Sequence, residues 1–165
     1  MITPRPNALF SFLALALVFS LSCLPIANRT TAQVATPPKA DPSGVIYIPQ
    51  DQVAQGFSKN NILYDGVPDH NYRVGVFHRD MAGEVEVHAK DTDVFYVLEG
   101  SATFVTGGNF TTGKNTAPDE VRGPSMTAGT SRTIAKGDVI IIPANVPHWF
   151  KEIQKPITYF GVKVR

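Results

Sequence analysis

The sequence predicts an all-β protein, a closed barrel or double-sheet jelly roll with one short N-terminal helix. Three observations carry that reading. Short segments of alternating or β-branched residues recur through the second two-thirds of the 165-residue chain. The 13 Gly and 13 Pro supply the turns that many short strands need. Only one stretch after the N-terminal forty residues carries helix start and stop signals. The length suits one domain. A net charge of +1 gives no reason to expect a nucleic-acid partner or an acidic membrane surface. Cys23 is the single cysteine, which excludes an internal disulfide and any cysteine-rich metal site.

Arg5 precedes the apolar run ALFSFLALALVFSLSCLPIA, short for a membrane span and charged ahead of its apolar part, as secretory signals are. Residues 1–32 are therefore expected to be a signal peptide cleaved before Gln33, and the protein to be periplasmic or secreted. Lipid attachment at Cys23 is the alternative. No stable membrane association is expected once the signal is removed. Residues 33–44, QVATPPKADPSG, read as an extended linker. The domain proper is expected over 45–165.

Within it, residues 45–48 read as a short strand and residues 49–56 as a helix of two turns, with Pro49 at its start and Gly56 at its stop. Strands are expected near 61–64 and 72–77, split by the turn Asp65-Gly66-Val67-Pro68. They continue at 84–90, 94–98 and 102–106, where Gly107-Gly108-Asn109 closes a hairpin. Residues 110–130 are rich in Thr and Gly without periodicity and read as a long loop, a feature often functional in compact domains. Strands return at 131–134, 139–142, 148–151 and 157–164.

The chemistry concentrates in residues 84–100, EVEVHAKDTDVFYVLEG. Glu84, Glu86, His88 and Lys90 share one face of an alternating strand, and Val85, Val87 and Ala89 the other. Asp91-Thr92-Asp93 reads as a turn into a second strand, so Glu86, His88 and Asp93 can come together. A second imidazole, His148, follows a tight turn in PANVPHWF. On these residues the chain resembles the cupins. Glu86, His88, Asp93 and Gly100 take the places of the two His, the Glu and the closing Gly of their first motif. Gly137, Pro143 and His148 match the second motif, with Asn145 for its middle Gly and Glu152 for its final Asn. The opening Gly of the first motif is replaced by Asp80.

The resemblance implies a barrel holding a divalent transition metal (Mn, Fe, Ni or Zn) through His88, Asp93, His148 and Glu86. Imidazole and carboxylate donors do not choose among those ions. If not a ligand, Glu86 is the candidate catalytic proton carrier. The substrate or ligand implied is a small, oxygen-rich acid or sugar derivative. A metal-free alternative places the ammonium of Lys90 against Glu86 or Asp93 in the ion's stead. Arg79, Lys90 and Arg122 could clamp a carboxylate, although solvated surface positions are the stronger expectation for both arginines. His78 and His70 are expected outside the site. Phe95, Val97 and Phe150 are expected to face the ligands, and Val94, Tyr96 and Leu98 to face outward, where a homodimer contact would be compatible.

Overall fold

The computed structural model describes residues 38–67 and 69–165. The expected signal peptide and the first residues of the linker lie outside that set. Residues 39–44 are exposed, and a turn forms at Asp41, whose Oδ1 accepts from the backbone N–H groups of Ser43 and Val45 at 2.8 and 2.9 Å. Residues 45–48 form no strand, in contrast to expectation.

Helix α1 spans Gln50–Lys59. Pro49 precedes it in extended conformation, Asp51 lies in its first turn and Lys59 in its last, complementing the helix dipole. The helix runs through Gly56 rather than stopping there. A Cβ on Gly56 would lie 2.6 Å from the Val76 side chain and 2.7 Å from that of Leu63, so glycine is needed for close packing. The stop is Asn60, left-handed at φ 52°, whose N–H bonds to the Gly56 carbonyl.

Nine strands follow: β1 (Ile62–Asp65), β2 (Tyr72–Arg79), β3 (Val85–His88), β4 (Thr92–Thr106), β5 (Lys114–Ala117), β6 (Glu120–Gly123), β7 (Thr130–Ala135), β8 (Val139–Ile142) and β9 (His148–Val164). All pairings are antiparallel, and the sheet is a curled half-barrel of the cupin-like type. Its path is β1-β2-β9-β3-β6-β5, with β4 pairing β7, β8 and β9. Each pair of strands expected at 94–98 and 102–106, and at 148–151 and 157–164, is one continuous strand. The β4–β9 ladder bends through bulges around Gly100, which has φ +81°. A Cβ there would lie 1.9 Å from the Pro156 carbonyl oxygen, so only glycine fits.

Residues 110–130 are not a loop throughout. They contain the β5–β6 hairpin, and β6 pairs with β3. Strands of four residues give too little alternation to register in the sequence.

The core lies inside the curl, where Phe95, Val97, Phe104, Phe150, Ile157 and Tyr159 are buried together. Outward residues alternate with them, Tyr96 being the most exposed of its stretch. Phe104 is fully buried and packs edge-on against Phe150 at 4.8 Å. Phe104→Ala is expected to lower stability by about 3–5 kcal/mol, read from urea unfolding midpoints.

Candidate metal centre

Register brings the site together. On β3, Glu86 and His88 point to the same face, and Glu86 lies directly opposite His148 on β9. The turn before His148 is docked to the same strand. Asn145 adopts φ 65° and its N–H donates to the His88 carbonyl at 2.8 Å. Asn tolerates the left-handed region better than most residues, which explains how it can replace the glycine expected in this turn. The rings of His88 and His148 stand 5.2 Å apart. His88, Asp93 and His148 are all buried.

One donor atom each from Glu86, His88 and His148 lies within 4.8 Å of the others, a group that could hold a metal ion. The hydrogen-bond network assigns both imidazole tautomers. His148 Nδ1 donates to the Val146 carbonyl at 3.1 Å, leaving Nε2 as the acceptor, and that buried Nε2 has no hydrogen-bond partner among the described residues. Burial pushes the His148 imidazole below its usual range, outweighing the Val146 bond and the Asp93 charge, so the ring is neutral at pH 7. His88 Nε2 receives a hydrogen bond from the Lys163 ammonium at 2.7 Å. An ammonium only donates, so the ring proton of His88 sits on Nδ1, which faces Glu120 Oε2 at 3.4 Å. Each ring thus turns an Nε2 lone pair inward while its far nitrogen faces an oxygen, the arrangement that metal-ligating histidines need.

Asp93 lies in β4 itself, because the turn occupies residues 89–91 and the strand begins at Thr92. Its Oδ2 is 3.3 Å from His88 Nε2 and 3.6 Å from His148 Nε2. Both carboxylate oxygens also accept from Lys163, at 2.8 and 3.0 Å. Burial would raise the Asp93 carboxyl, but the Lys163 ammonium, bonded to both of its oxygens, outweighs burial and holds the group below the usual carboxylate range.

Lys90 is not the cation of this cluster. Its strand ends at His88, the alternation lapses, and its side chain is 60% exposed and paired with Asp119 at 3.1 Å. Lys163, from the end of β9, takes the inner place. It lies directly across from Asp93 in the ladder.

A second layer of charge surrounds Glu86. Its Oε1 accepts from Arg122 at 2.8 Å and Arg79 at 3.3 Å, leaving Oε2 toward His88 Nε2 at 3.7 Å. Arg122 Nε also bonds Glu120 Oε1 at 2.7 Å. Arg79 bonds the Tyr159 hydroxyl at 3.2 Å and lies over the Phe150 ring at 4.8 Å. Both arginines are therefore committed to the site rather than the surface, and they line a cavity of about 290 Å³ with Phe77, Phe95, Tyr159 and Lys163. His78 and His70 stand outside this cluster. The backbone N–H of His78 bonds Asn60, and the His70 ring stacks on Tyr72.

Glu120 and Lys163 belong to the site without matching either motif. Glu120 and Arg122 left a faint signal, opposite charges two apart in EVRG, whereas Lys163 sits in no motif.

A family model described as Cupin matches residues 74–164. The chain belongs to the cupin family. No curated protein matches it. Among solved structures, a protein from Bacillus halodurans is 14% identical, with 76% of this chain and 86% of that one covered and a TM-score of 0.52. A DMSP lyase from Ruegeria pomeroyi is also 14% identical, covering 58% of this chain and 39% of that one at a TM-score of 0.41. An oxalate oxidase in complex with glycolate is 13% identical, covering 57% and 42% at a TM-score of 0.41. The Bacillus halodurans protein shares the fold. This cupin departs from the family's first motif by carrying Glu86 in place of an imidazole.

The Asn145 turn can be tested directly. Asn145→Gly is expected to stay within about 0.5 kcal/mol of the natural protein. Asn145→Val is expected to cost about 1–2 kcal/mol in urea unfolding, since a β-branched side chain resists the left-handed region.

Proposed function

We propose that this cupin binds one divalent transition metal through Glu86, His88 and His148, and that it binds or acts on a small oxygen-rich acid or sugar derivative in the adjoining cavity. The observation that carries the reading is the pair of inward Nε2 lone pairs, the one at His148 buried with no hydrogen-bond partner among the described residues. A buried acceptor left unpaired costs free energy unless something fills the place it faces.

Such an ion supplies Lewis acidity toward a carbonyl or carboxylate oxygen. The chain's own residues do the rest. Arg122 and Arg79 hold Glu86 Oε1, so Oε2 is the atom available to ligate or to accept a proton from a bound ligand. Arg79 and Arg122 bring positive charge to the cavity wall, which suits an anionic oxygen-rich ligand. Phe77, Phe95 and Tyr159 form an apolar side that excludes water.

A second reading is a non-catalytic, metal-free binding barrel. It is favoured by the Lys163 ammonium, which satisfies His88 and Asp93 without any ion. Metal content decides between the two. Purified protein grown with first-row metals is expected to carry close to one ion per chain by plasma emission, and His148→Ala to carry less than about a tenth of that. Equal, empty readings from both proteins would remove the metal reading and leave the second.

The export expectation belongs to the same proposal. Residues 1–32 direct the chain to the periplasm or medium, with lipid attachment at Cys23 as the other route. N-terminal sequencing of protein recovered from those compartments is expected to begin at Gln33. A start at Cys23 would support the lipid route.

A further inference from the structure

We infer that Lys163 is a built-in competitor for the metal: its ammonium holds the donor atoms in place and must leave His88 before an ion can bind there. This rests on the metal reading above and concerns the chain's own lysine.

The argument begins with lone pairs. A neutral imidazole offers a single lone pair in its ring plane. That of His88 Nε2 is engaged by Lys163 Nζ at 2.7 Å. It can go to the ammonium or to a metal ion, not to both. The same Nζ binds both oxygens of Asp93, at 2.8 and 3.0 Å. Lys163 therefore occupies one of the two imidazoles and withholds the second carboxylate of the cluster. His148 Nε2 and Glu86 Oε2 are the donors it leaves untouched.

Charge adds to exclusion. An ion seated among Glu86, His88 and His148 would face an ammonium a few ångströms away, and like charges at that range repel strongly where water is scarce. The repulsion eases if Nζ swings away from His88. Room exists for this, because Lys163 borders the 290 Å³ cavity and a lysine stem is flexible. Asp93 can keep hold of the ammonium during the swing, since its oxygens and His88 Nε2 are separate partners of one nitrogen. Lys163 thereby sets how tightly the site holds an ion, and its ammonium keeps the donors gathered when none is bound.

The test compares chelator-treated natural protein with Lys163→Met and Lys163→Gln, titrated with Zn²⁺ and with Mn²⁺ by calorimetry. Both variants are expected to bind at least tenfold more tightly, because His88 Nε2 and Asp93 are then free to ligate. Added Zn²⁺ is also expected to raise their thermal midpoints more than that of the natural protein. Folded variants that bind no more tightly than the natural protein would overturn the inference and leave the metal reading standing. No binding by the natural protein or by either variant would overturn both.

A second measurement needs no variant and decides the matter if the variants fail to fold. In protein labelled with nitrogen-15 lysine, the Lys163 ammonium resonance is expected to shift, and its contacts to the His88 ring to vanish, on saturation with Zn²⁺. Zn²⁺ binding with that resonance and those contacts unchanged would overturn the inference.

Discussion

The register of β9 is the constraint on which the site depends. His148, its first residue, lies opposite Glu86 of β3, and Lys163, near its end, lies opposite Asp93 of β4. Side chains alternate faces along a strand, so a slip of one residue would turn both inward groups out. The bulges around Gly100 absorb the mismatch that such a long curled ladder accumulates. The left-handed Asn145 turn fixes the other end by tying the chain before β9 to His88. The core aromatic residues then lock this arrangement, with Phe95 and Phe104 against the His148 ring and Phe150 packed against both of them.

Electrostatics follow from the same registers. Glu86 faces Arg122 and His88 faces Glu120 across the β3–β6 ladder. Asp93 faces Lys163 across β4–β9. Each carboxylate therefore meets a cation or an imidazole as a direct cross-strand neighbour, which is how this fold can keep Asp93 at 1% exposure. A charge so placed cannot lose its partner cheaply, since breaking a buried pair typically costs about 3–5 kcal/mol.

Much of this was legible in the residues alone. Two motifs with fixed spacings pointed to Glu86, His88, Asp93 and His148, and the all-β class followed from alternation and turn residues. The legible features are local: a residue type, a spacing, a turn. The illegible ones depend on where distant strands meet. The metal-free alternative puts Lys90 inside because the sequence alternation carries past His88, but the strand ends there and the side chain goes out to Asp119. Lys163 stands 75 residues from His88 and reaches it through strand pairing that no short pattern encodes. The β5–β6 hairpin was hidden for a related reason. Strand β6 gains its meaning from pairing with β3 and β5 from pairing with β6, and Lys-Asn-Thr-Ala and Glu-Val-Arg-Gly carry little hydrophobic signal.

The presence of Lys163 changes what kind of centre this is. With the ammonium swung off His88 but kept on Asp93, the donors left would be two imidazoles and the single carboxylate of Glu86. With the ammonium gone, Asp93 would add a second carboxylate, and the set would become harder and more anionic. Oxygen-rich sets favour ions such as Mn, while imidazole-rich sets suit Zn, Fe and Ni. On the inference above, a lysine far outside the recognisable motifs would govern the balance of donors that those motifs supply. The replacement of a motif imidazole by Glu86 acts in the opposite direction, adding a carboxylate where the family has a neutral ring. Holding Asp93 on Lys163 returns the available set to one negative charge. The carboxylate that Glu86 adds is thus offset by the one that Lys163 holds on Asp93.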